Sequence, residues 1–170
     1  MPVSQMAFAT LDWTAKQREK LADYIASFGA TDLCCHRAES PAELVERQAR
    51  TWDPIVDWAA ETLGARLLVV TGIVAAPEQQ HAIAKLRAEA LALDDHRLTA
   101  LAQATGLAGS ALIGFGVVKC WLTPDRAFRA AALDHLWSLE KWGEDEEARA
   151  RVDRQHHELS QITRYLEALA

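Results

Sequence analysis

The chain has 170 residues, of which 50% are hydrophobic and 25% charged, a length and composition typical of one globular domain. Its formal net charge of −6 at pH 7 disfavours general binding to nucleic acid or to an anionic membrane. Because no run of about 18 uncharged apolar residues is present, the sequence predicts no insertion into a membrane. The first residues, MPVSQMAFATLDW, lack the features of a secretory signal or a transit peptide.

The hydrophobic pattern is helical from the first element onwards. Thr14 is placed to cap a helix that Gly29 ends. The apolar stripe of this helix is Leu21, Tyr24, Ile25 and Phe28. The residues that follow, TDLCCHR, predict a short strand or an extended segment over 31–37.

Three cysteines, Cys34, Cys35 and Cys120, occur in the chain. Their odd number and the missing export signal predict reduced thiols in a cytosol-like compartment. In an extended segment neighbouring residues point to opposite faces, so only Cys34 and His36 would share a side. Two ligands do not make a zinc site, and we expect cysteines that pack in the core and no bound metal.

A helix is predicted to follow from Ser40, the candidate cap, with Pro41 at its first position and Glu43 at the capping-box spacing. One face of it is apolar apart from Gln48. The apolar members of that face are Leu44, Trp52, Ile55 and Ala59.

Pro54 lies inside this helical pattern. A proline cannot donate to the carbonyl of residue 50, and its ring crowds that turn. We therefore expect a kink or a break near Asp53, which would then cap a second helix.

Residues 65–74, ARLLVVTGIV, are ambiguous between an extended segment and a turn of buried helix. A clear helix is predicted over 77–93, and Asp94 or Asp95 can cap the next one.

The segment SALIGFGVVKCWL is apolar on every side, which predicts a central helix with Gly114 and Gly116 at a close approach. Thr123 and Pro124 are placed to start another helix, and Gly143 marks a bend before the last one. Together these elements predict a mainly α, compact multi-helix domain over 1–170. The short extended element is expected near residues 31–37 or 65–74.

Catalytic motifs are missing from the sequence, which has no phosphate-binding loop, HExxH or paired CxxC. We therefore expect no enzymatic activity and no cofactor. A small helical enzyme that uses carboxylates near Asp53 or Glu146 is the alternative.

The 6 tryptophans are more informative. Core packing is expected for Trp121 and Trp137. Trp52 and Trp58 are six residues apart, so they lie on different faces of a helix. Half-exposed aromatic residues of this kind often anchor partners.

Two separated blocks and the segment before them carry a family resemblance. The first block is TDLCCHRAESPAELVERQARTWDPIVDWAAETLGARL, in which the matches include Asp32, Arg37 and the run Trp52-Asp53-Pro54. MPVSQMAFATLD precedes it, and the second block is LEKWGEDEE. Together these segments resemble the assembly chaperones for the alpha subunit of ATP synthase, which occur in mitochondria and in some bacteria.

The resemblance implies a chaperone that holds the free alpha subunit until the beta subunit joins it. Family members usually carry a β-rich N-terminal domain before the segment that matches residue 1. We therefore expect residues 1–170 to correspond to the C-terminal helical domain. A purely structural domain of a longer chaperone is the alternative. The implied location is the bacterial cytoplasm, with the mitochondrial matrix as the alternative.

The resemblance also implies that the acidic position of the WGxxE pattern, Glu146, matters for function. Its carboxylate, beside an exposed Trp142, would bind an Arg or Lys of the client. Glu144 belongs to the same acidic run. The competing interpretation is a helix start after Gly143, where negative charge favours the helix dipole.

The first block adds Asp53, Trp52 and Asp32 to the expected partner-binding residues. Each carboxylate also has a structural interpretation. Asp53 would cap a helix, and Asp32 would fix the turn out of the first helix. Arg37 is expected to pair with one of the two.

Overall fold

The computed structural model describes residues 5, 15–143 and 145–170. The helices are α1 Ala15–Ser27, α2 Ala42–Thr62, α3 Gln80–Leu91, α4 Asp95–Ala108, α5 Ala111–Val118, α6 Pro124–Ala131, α7 Leu133–Trp142 and α8 Glu146–Ala168. Two 3₁₀ turns, Phe28–Ala30 and Leu33–Cys35, follow α1. The strands are β1 His36–Arg37 and β2 Val70–Thr71. The predicted mainly α fold with a short extended element is confirmed. The cap predicted at Thr14 lies outside the described residues.

Helix α5 forms the centre of the core, as its all-apolar sequence predicts. Every residue of α5 is buried, and helices α2, α4, α6 and α8 contact it. At Gly114 a neighbouring helix approaches closely, because an added Cβ would lie 2.5 Å from Oγ1 of Thr105 in α4. Ser110 caps the helix by accepting a hydrogen bond from the backbone N–H of Ile113 at 3.1 Å.

Two of the predicted helix starts are confirmed. Asp94 caps α4 by accepting a hydrogen bond from the N–H of Arg97 at 2.9 Å. Thr123 caps α6, with Pro124 at its first position. In both cases the signal is local, so the sequence pattern is sufficient to place the helix start.

The start of α2 differs from the prediction. Pro41 occupies the cap position with an extended backbone, and the helix begins at Ala42 without a side-chain cap. The expected capping box between Ser40 and Glu43 is therefore wrong. The carboxylate of Glu43 instead pairs with Lys141, whose Nζ lies 2.6 Å away.

The predicted break at Pro54 is also wrong, because α2 is continuous from Ala42 to Thr62. Pro54 is exposed on the outer side of the helix, while Trp52 and Ile55 are buried on the inner side. Burial of these large side chains on both sides of the proline outweighs the one hydrogen bond that it cannot donate. Asp53 therefore lies inside a helix and does not cap one.

The two ambiguous segments pair with each other. β1 and β2 run parallel, with His36 opposite Val70 and Arg37 opposite Thr71. Residues 31–37 and 65–74 thus each contribute two residues to one small sheet. Within the described residues, no helix is long and apolar enough to cross a membrane.

Candidate partner-binding surface

An exposed tryptophan ends α7. Trp142 is the last residue of this helix, and 82% of it is accessible to solvent. Gly143 follows with φ at 90°, a backbone conformation that favours glycine, and redirects the chain towards α8. Since large aromatic side chains are normally buried for most of their area, an indole this open is a candidate anchor for a partner.

Two ion pairs hold the end of α7 against the first turns of α2. Nζ of Lys141 lies 2.6 Å from Oε2 of Glu43, and Nη1 of Arg47 lies 2.9 Å from Oε2 of Glu140. The hydrogen bond from Lys141 lowers the pKa of the Glu43 carboxyl below its usual range. The helix end that carries Trp142 is therefore fixed in place.

The acidic residues after Gly143 make different contacts. Asp145 caps α8 by accepting from the N–H of Glu147 at 3.2 Å. Glu147 in turn lies 3.8 Å from the guanidinium of Arg151, one turn further along α8. Glu146 is exposed in the first helical turn and forms no ion pair with any residue that the structure describes. Glu144 lies outside the described residues.

The helix-start interpretation and the contact interpretation therefore apply to different carboxylates. Asp145 and Glu147 stabilise the beginning of α8 through a cap and an ion pair. Glu146 has the same favourable position at the helix start, but its carboxylate remains open to solvent. It is the member of the described run that is free to bind a cation on another protein.

A second exposed carboxylate, Asp53, is held by a buried arginine. Nη1 of Arg37 lies 2.8 Å from Oδ1 of Asp53, which confirms that Arg37 pairs with one of the two predicted carboxylates. The Arg37 side chain is only 8% exposed, whereas that of Asp53 is 56% exposed. Arg37 also donates through Nε to the carbonyl of Cys34 at 2.7 Å, and its guanidinium lies 5.6 Å from the ring centroid of Trp52.

Trp52 and Asp32 lie in the interior. Both are 0% exposed, so neither offers a side chain to a partner in this structure. The indole N–H of Trp52 donates to the carbonyl of Ala130 at 2.9 Å, which joins α2 to α6. This residue therefore supports the fold beneath Arg37.

Asp32 joins the second 3₁₀ turn, Leu33–Cys35, to the start of α5. Its carboxylate accepts from Oγ of Ser110 at 2.6 Å and from the N–H groups of Cys34 at 3.1 Å and Leu112 at 3.3 Å. Burial raises the pKa of Asp32 to about 6, against the lowering effect of these hydrogen bonds. The expectation that Asp32 fixes the turn after α1 is confirmed, since it caps Leu33–Cys35.

The exposed candidates form two areas and not one cluster. Trp142 and Glu146 flank the bend between α7 and α8. Asp53 lies ten residues beyond Glu43 along α2, about 15 Å at the usual rise of an α-helix. The first area therefore lies near the start of α2 and the second near its middle.

Gln48 has a structural role that the sequence analysis did not predict. Its side chain is buried between the two areas, where Oε1 accepts from the N–H of Ala38 and Nε2 donates to Oδ1 of Asp134, both at 2.8 Å. It links the end of β1 to the start of α7 through α2. The signal was a polar residue interrupting an apolar helix face.

The cysteines of the first segment behave as core residues. Cys34 and Cys35 are buried, and burial raises the pKa of both thiols, that of Cys35 to about 12. No group of His, Cys, Asp and Glu among the described residues is arranged to hold a metal ion. The expected packing role of these cysteines is confirmed.

Comparisons with known proteins show that the chain is similar to chaperones. Residues 1–60 match the family model described as ATP12 chaperone protein. The fold is similar to the crystal structure of Atp12 from Paracoccus denitrificans, with a TM-score of 0.93 and 34% sequence identity, over 98% of this chain and 72% of that one. A mutant of the same Paracoccus protein gives a TM-score of 0.93 at 33% identity, over 98% and 71%.

Two further relatives extend the range of organisms. The crystal structure of the Atu1473 protein from Agrobacterium tumefaciens matches with a TM-score of 0.89 at 36% identity, over 100% of this chain and 64% of that one. The mitochondrial protein atp12 of Schizosaccharomyces pombe is 22% identical over 157 residues, which are 87% of this chain and 54% of that protein. The chain thus spans about half the length of this curated relative.

Proposed function

We propose that this chain, which belongs to the ATP12 chaperone family, is a molecular chaperone that binds the unassembled alpha subunit of ATP synthase and assists assembly of the catalytic head. The family is one of chaperones, and its membership agrees with the prediction that the chain is not an enzyme. A chaperone of this kind needs a binding surface and no reaction chemistry. It covers apolar surface that the missing partner subunit will later bury.

The observation that carries the proposal is the open pair formed by Trp142 and Glu146 on either side of Gly143. In this proposal the indole supplies apolar contact area, and the carboxylate binds an Arg or Lys of the alpha subunit. The ion pairs of Lys141 and Arg47 hold the helix end that carries the indole, which reduces the ordering cost of association.

The remaining expected site residues have different parts in the proposal. Asp53 supplies a second exposed carboxylate, and Glu144 belongs to the same acidic run of the sequence as Glu146. Trp52 and Asp32 act from below the surface. Trp52 packs under Arg37, which in turn holds Asp53, and Asp32 fixes the segment that leads into β1.

Relatives from a bacterium and from a mitochondrion support a location where ATP synthase is assembled. We place the chain in the cytoplasm of a bacterial-type cell, with the mitochondrial matrix as the alternative. Its partner in this proposal is a protein subunit, with no nucleic acid, membrane insertion, metal or cofactor.

The test is a titration of the purified chain with isolated alpha subunit. Calorimetry measures the binding, and light scattering measures the aggregation of the alpha subunit. We expect saturable binding, slower aggregation of the alpha subunit and release on addition of the beta subunit. Isolated beta subunit is the matched control and should bind at least about tenfold more weakly, a difference of about 1.4 kcal/mol. Equal binding to both subunits would count against the alpha subunit as the specific client.

A purely structural role within a longer chaperone is the second candidate, because the chain spans about half the length of the fungal relative. Under that alternative the chain binds no alpha subunit, and a fusion that carries the remaining part of such a relative restores binding. Exchange of this part between relatives would then move the binding with it.

A further inference from the structure

The small sheet has an open edge along β2. The N–H of Gly72 donates to the carbonyl of Arg37 at 2.9 Å, so Gly72 faces β1. In a parallel pair, alternate residues direct their backbone groups to opposite sides, and Thr71 therefore faces away from β1. No further strand within the described residues pairs with β2, and Thr71 is exposed to solvent.

The other edge of the sheet is covered. The N–H of Ala38, directly after β1, donates to the buried side chain of Gln48 in α2. Within β1, His36 points away from β2, and its N–H donates to the carbonyl of Leu33. The donors on this edge are therefore occupied by the same chain, whereas among the described residues β2 has no partner strand on its other side.

Exposed apolar side chains flank the open edge. Leu68 is 49% exposed, Val69 45%, Ile73 107% and Val74 64%. The segment from residue 67 to 77 contains no charged residue. Proteins commonly protect an exposed sheet edge with lysines or other charges, and this edge lacks that protection.

Charged side chains of both signs lie near this apolar edge. Asp53, Asp57 and Arg66 line a groove together with Leu68 and Val69, and Asp53 is paired with Arg37. The side chain of Asp57 is 65% exposed and lies 3.8 Å from the guanidinium of Arg66. At the other end of β2, the Glu39 carboxylate lies beside Gly72, where an added Cβ would meet it at 2.6 Å.

We infer that the β2 edge, from Val69 to Thr71, receives an extended strand of the client subunit. The backbone donors and acceptors of Thr71 that face away from β1 are oriented to pair with another β-strand. The exposed side chains of Leu68, Val69 and Ile73 favour apolar residues on that strand. This inference rests on the proposed function, because the strand belongs to the unassembled alpha subunit.

Backbone pairing suits this task for a physical reason. An unassembled subunit exposes both apolar surface and unpaired strand edges. A strand added to β2 satisfies the backbone groups of both proteins, and the flanking apolar side chains cover one another. The contact is reversible because it involves few residues.

The test uses Thr71→Pro, with Thr71→Ala as its matched control. Both substitutions remove the threonine side chain, but only proline removes the N–H that points away from β1. An edge position with its N–H facing solvent accepts proline, so the free chain should fold. We expect Thr71→Pro to weaken binding of isolated alpha subunit by about tenfold and Thr71→Ala by less than about twofold.

Two further measurements keep the test independent of folding defects. Ile73→Asp changes a fully exposed side chain and should also weaken binding, with no shift in the urea midpoint. Amide hydrogen exchange at residues 69–73 should slow when unaltered chain binds the alpha subunit.

The outcomes separate this inference from the proposed function. If unaltered chain fails to bind alpha subunit, both are overturned. If unaltered chain binds and Thr71→Pro binds as tightly as Thr71→Ala, the strand inference fails and the proposed function stands. If the free chain forms a dimer and Thr71→Pro dissociates it, the edge binds a second copy of the chain. That result would also overturn the inference.

Discussion

Nζ of Lys141 lies 2.6 Å from Oε2 of Glu43. This ion pair joins the last turn of α7 to the first turn of α2, and Lys141 is the residue directly before Trp142. The neighbouring pair of Arg47 and Glu140 strengthens the same junction. The exposed indole is therefore attached to a rigid helix end. Such preorganisation is what a binding anchor requires, since less freedom is lost when the partner arrives.

Substitutions at the bend between α7 and α8 should weaken binding of alpha subunit. We expect Trp142→Ala to cost about 2 kcal/mol, as for an aromatic anchor at an interface. Glu146→Gln should weaken binding by about tenfold and reduce its dependence on salt concentration. Calorimetric titrations at two ionic strengths measure both effects.

Glu147→Gln is the matched control for Glu146→Gln, because it removes one negative charge from the same helical turn. Glu147 is paired with Arg151, and its substitution should change binding by less than about threefold. Equal losses for the two variants would show that net charge, and not the position of Glu146, governs the contact.

Substitutions of Trp52 and Trp142 should differ in their effect on the free energy of unfolding. Trp52→Ala should lower the free energy of unfolding by about 3–5 kcal/mol, because a fully buried indole leaves a cavity. Trp142→Ala should change it by less than about 0.5 kcal/mol, because its side chain is mostly in solvent. Urea unfolding of both variants provides the comparison, and similar losses would contradict the burial difference.

The stability of the fold should depend on the protonation of Asp32. Burial raises the pKa of its carboxyl from 3.8 to about 6, so the folded state binds the proton more tightly than the unfolded state. The resulting stabilisation is fully present below pH 3.8 and is lost as the pH rises through about 6. A shift of about two pH units corresponds to about 3 kcal/mol.

Asp32→Asn removes this titration. The difference in unfolding free energy between unaltered chain and the variant should change by about 3 kcal/mol between pH 3.5 and pH 6.5, in favour of the unaltered chain at low pH. Carboxylates with lowered pKa, such as Glu43 and Asp94, act in the opposite direction in both proteins and cancel in the difference. A difference that stays constant with pH would refute the raised pKa.

Close packing at Gly114 should make even a methyl group costly. An added Cβ would lie 2.5 Å from Oγ1 and 3.2 Å from the backbone nitrogen of Thr105. We expect Gly114→Ala to destabilise the fold by about 1–3 kcal/mol, despite the better helix propensity of alanine. Thermal unfolding measures this loss.

Gly106→Ala is the control for Gly114→Ala, since it makes the same substitution in a neighbouring helix. There an added Cβ would meet only the phenol end of the partly exposed Tyr24, which can turn away. We expect a change of less than about 1 kcal/mol. Similar losses at both positions would mean that helix geometry, and not the contact with α4, sets the cost.

Local signals predicted several elements correctly. The all-apolar run of α5 requires burial on every side, and the caps at Asp94 and Thr123 depend on neighbouring residues only. The pairing of β1 with β2 could not be derived in this way, because it joins segments more than thirty residues apart. Hydrophobic periodicity contains no information about such a contact.

Long-range packing also explains the errors. Pro54 is a strong local signal for a break, but the buried face of α2 overrides it. For the candidate site, the resemblance predicts Trp142 and Glu146 by position, and this stays a prediction. The burial of Trp52 and Asp32 was not predicted, because it depends on contacts with α6 and α5. The open edge of β2 was not predicted, because its segment was ambiguous in the sequence.

Because α5 is enclosed by other helices, the free energy needed to expose its backbone differs from that needed at the edges of the fold. Its amides can exchange with solvent only when the surrounding helices separate, so they report global unfolding. The backbone around Thr71 can open by local fluctuation, because little is packed over it. Under the proposed function, binding and release of the client at the periphery would therefore leave the interior folded.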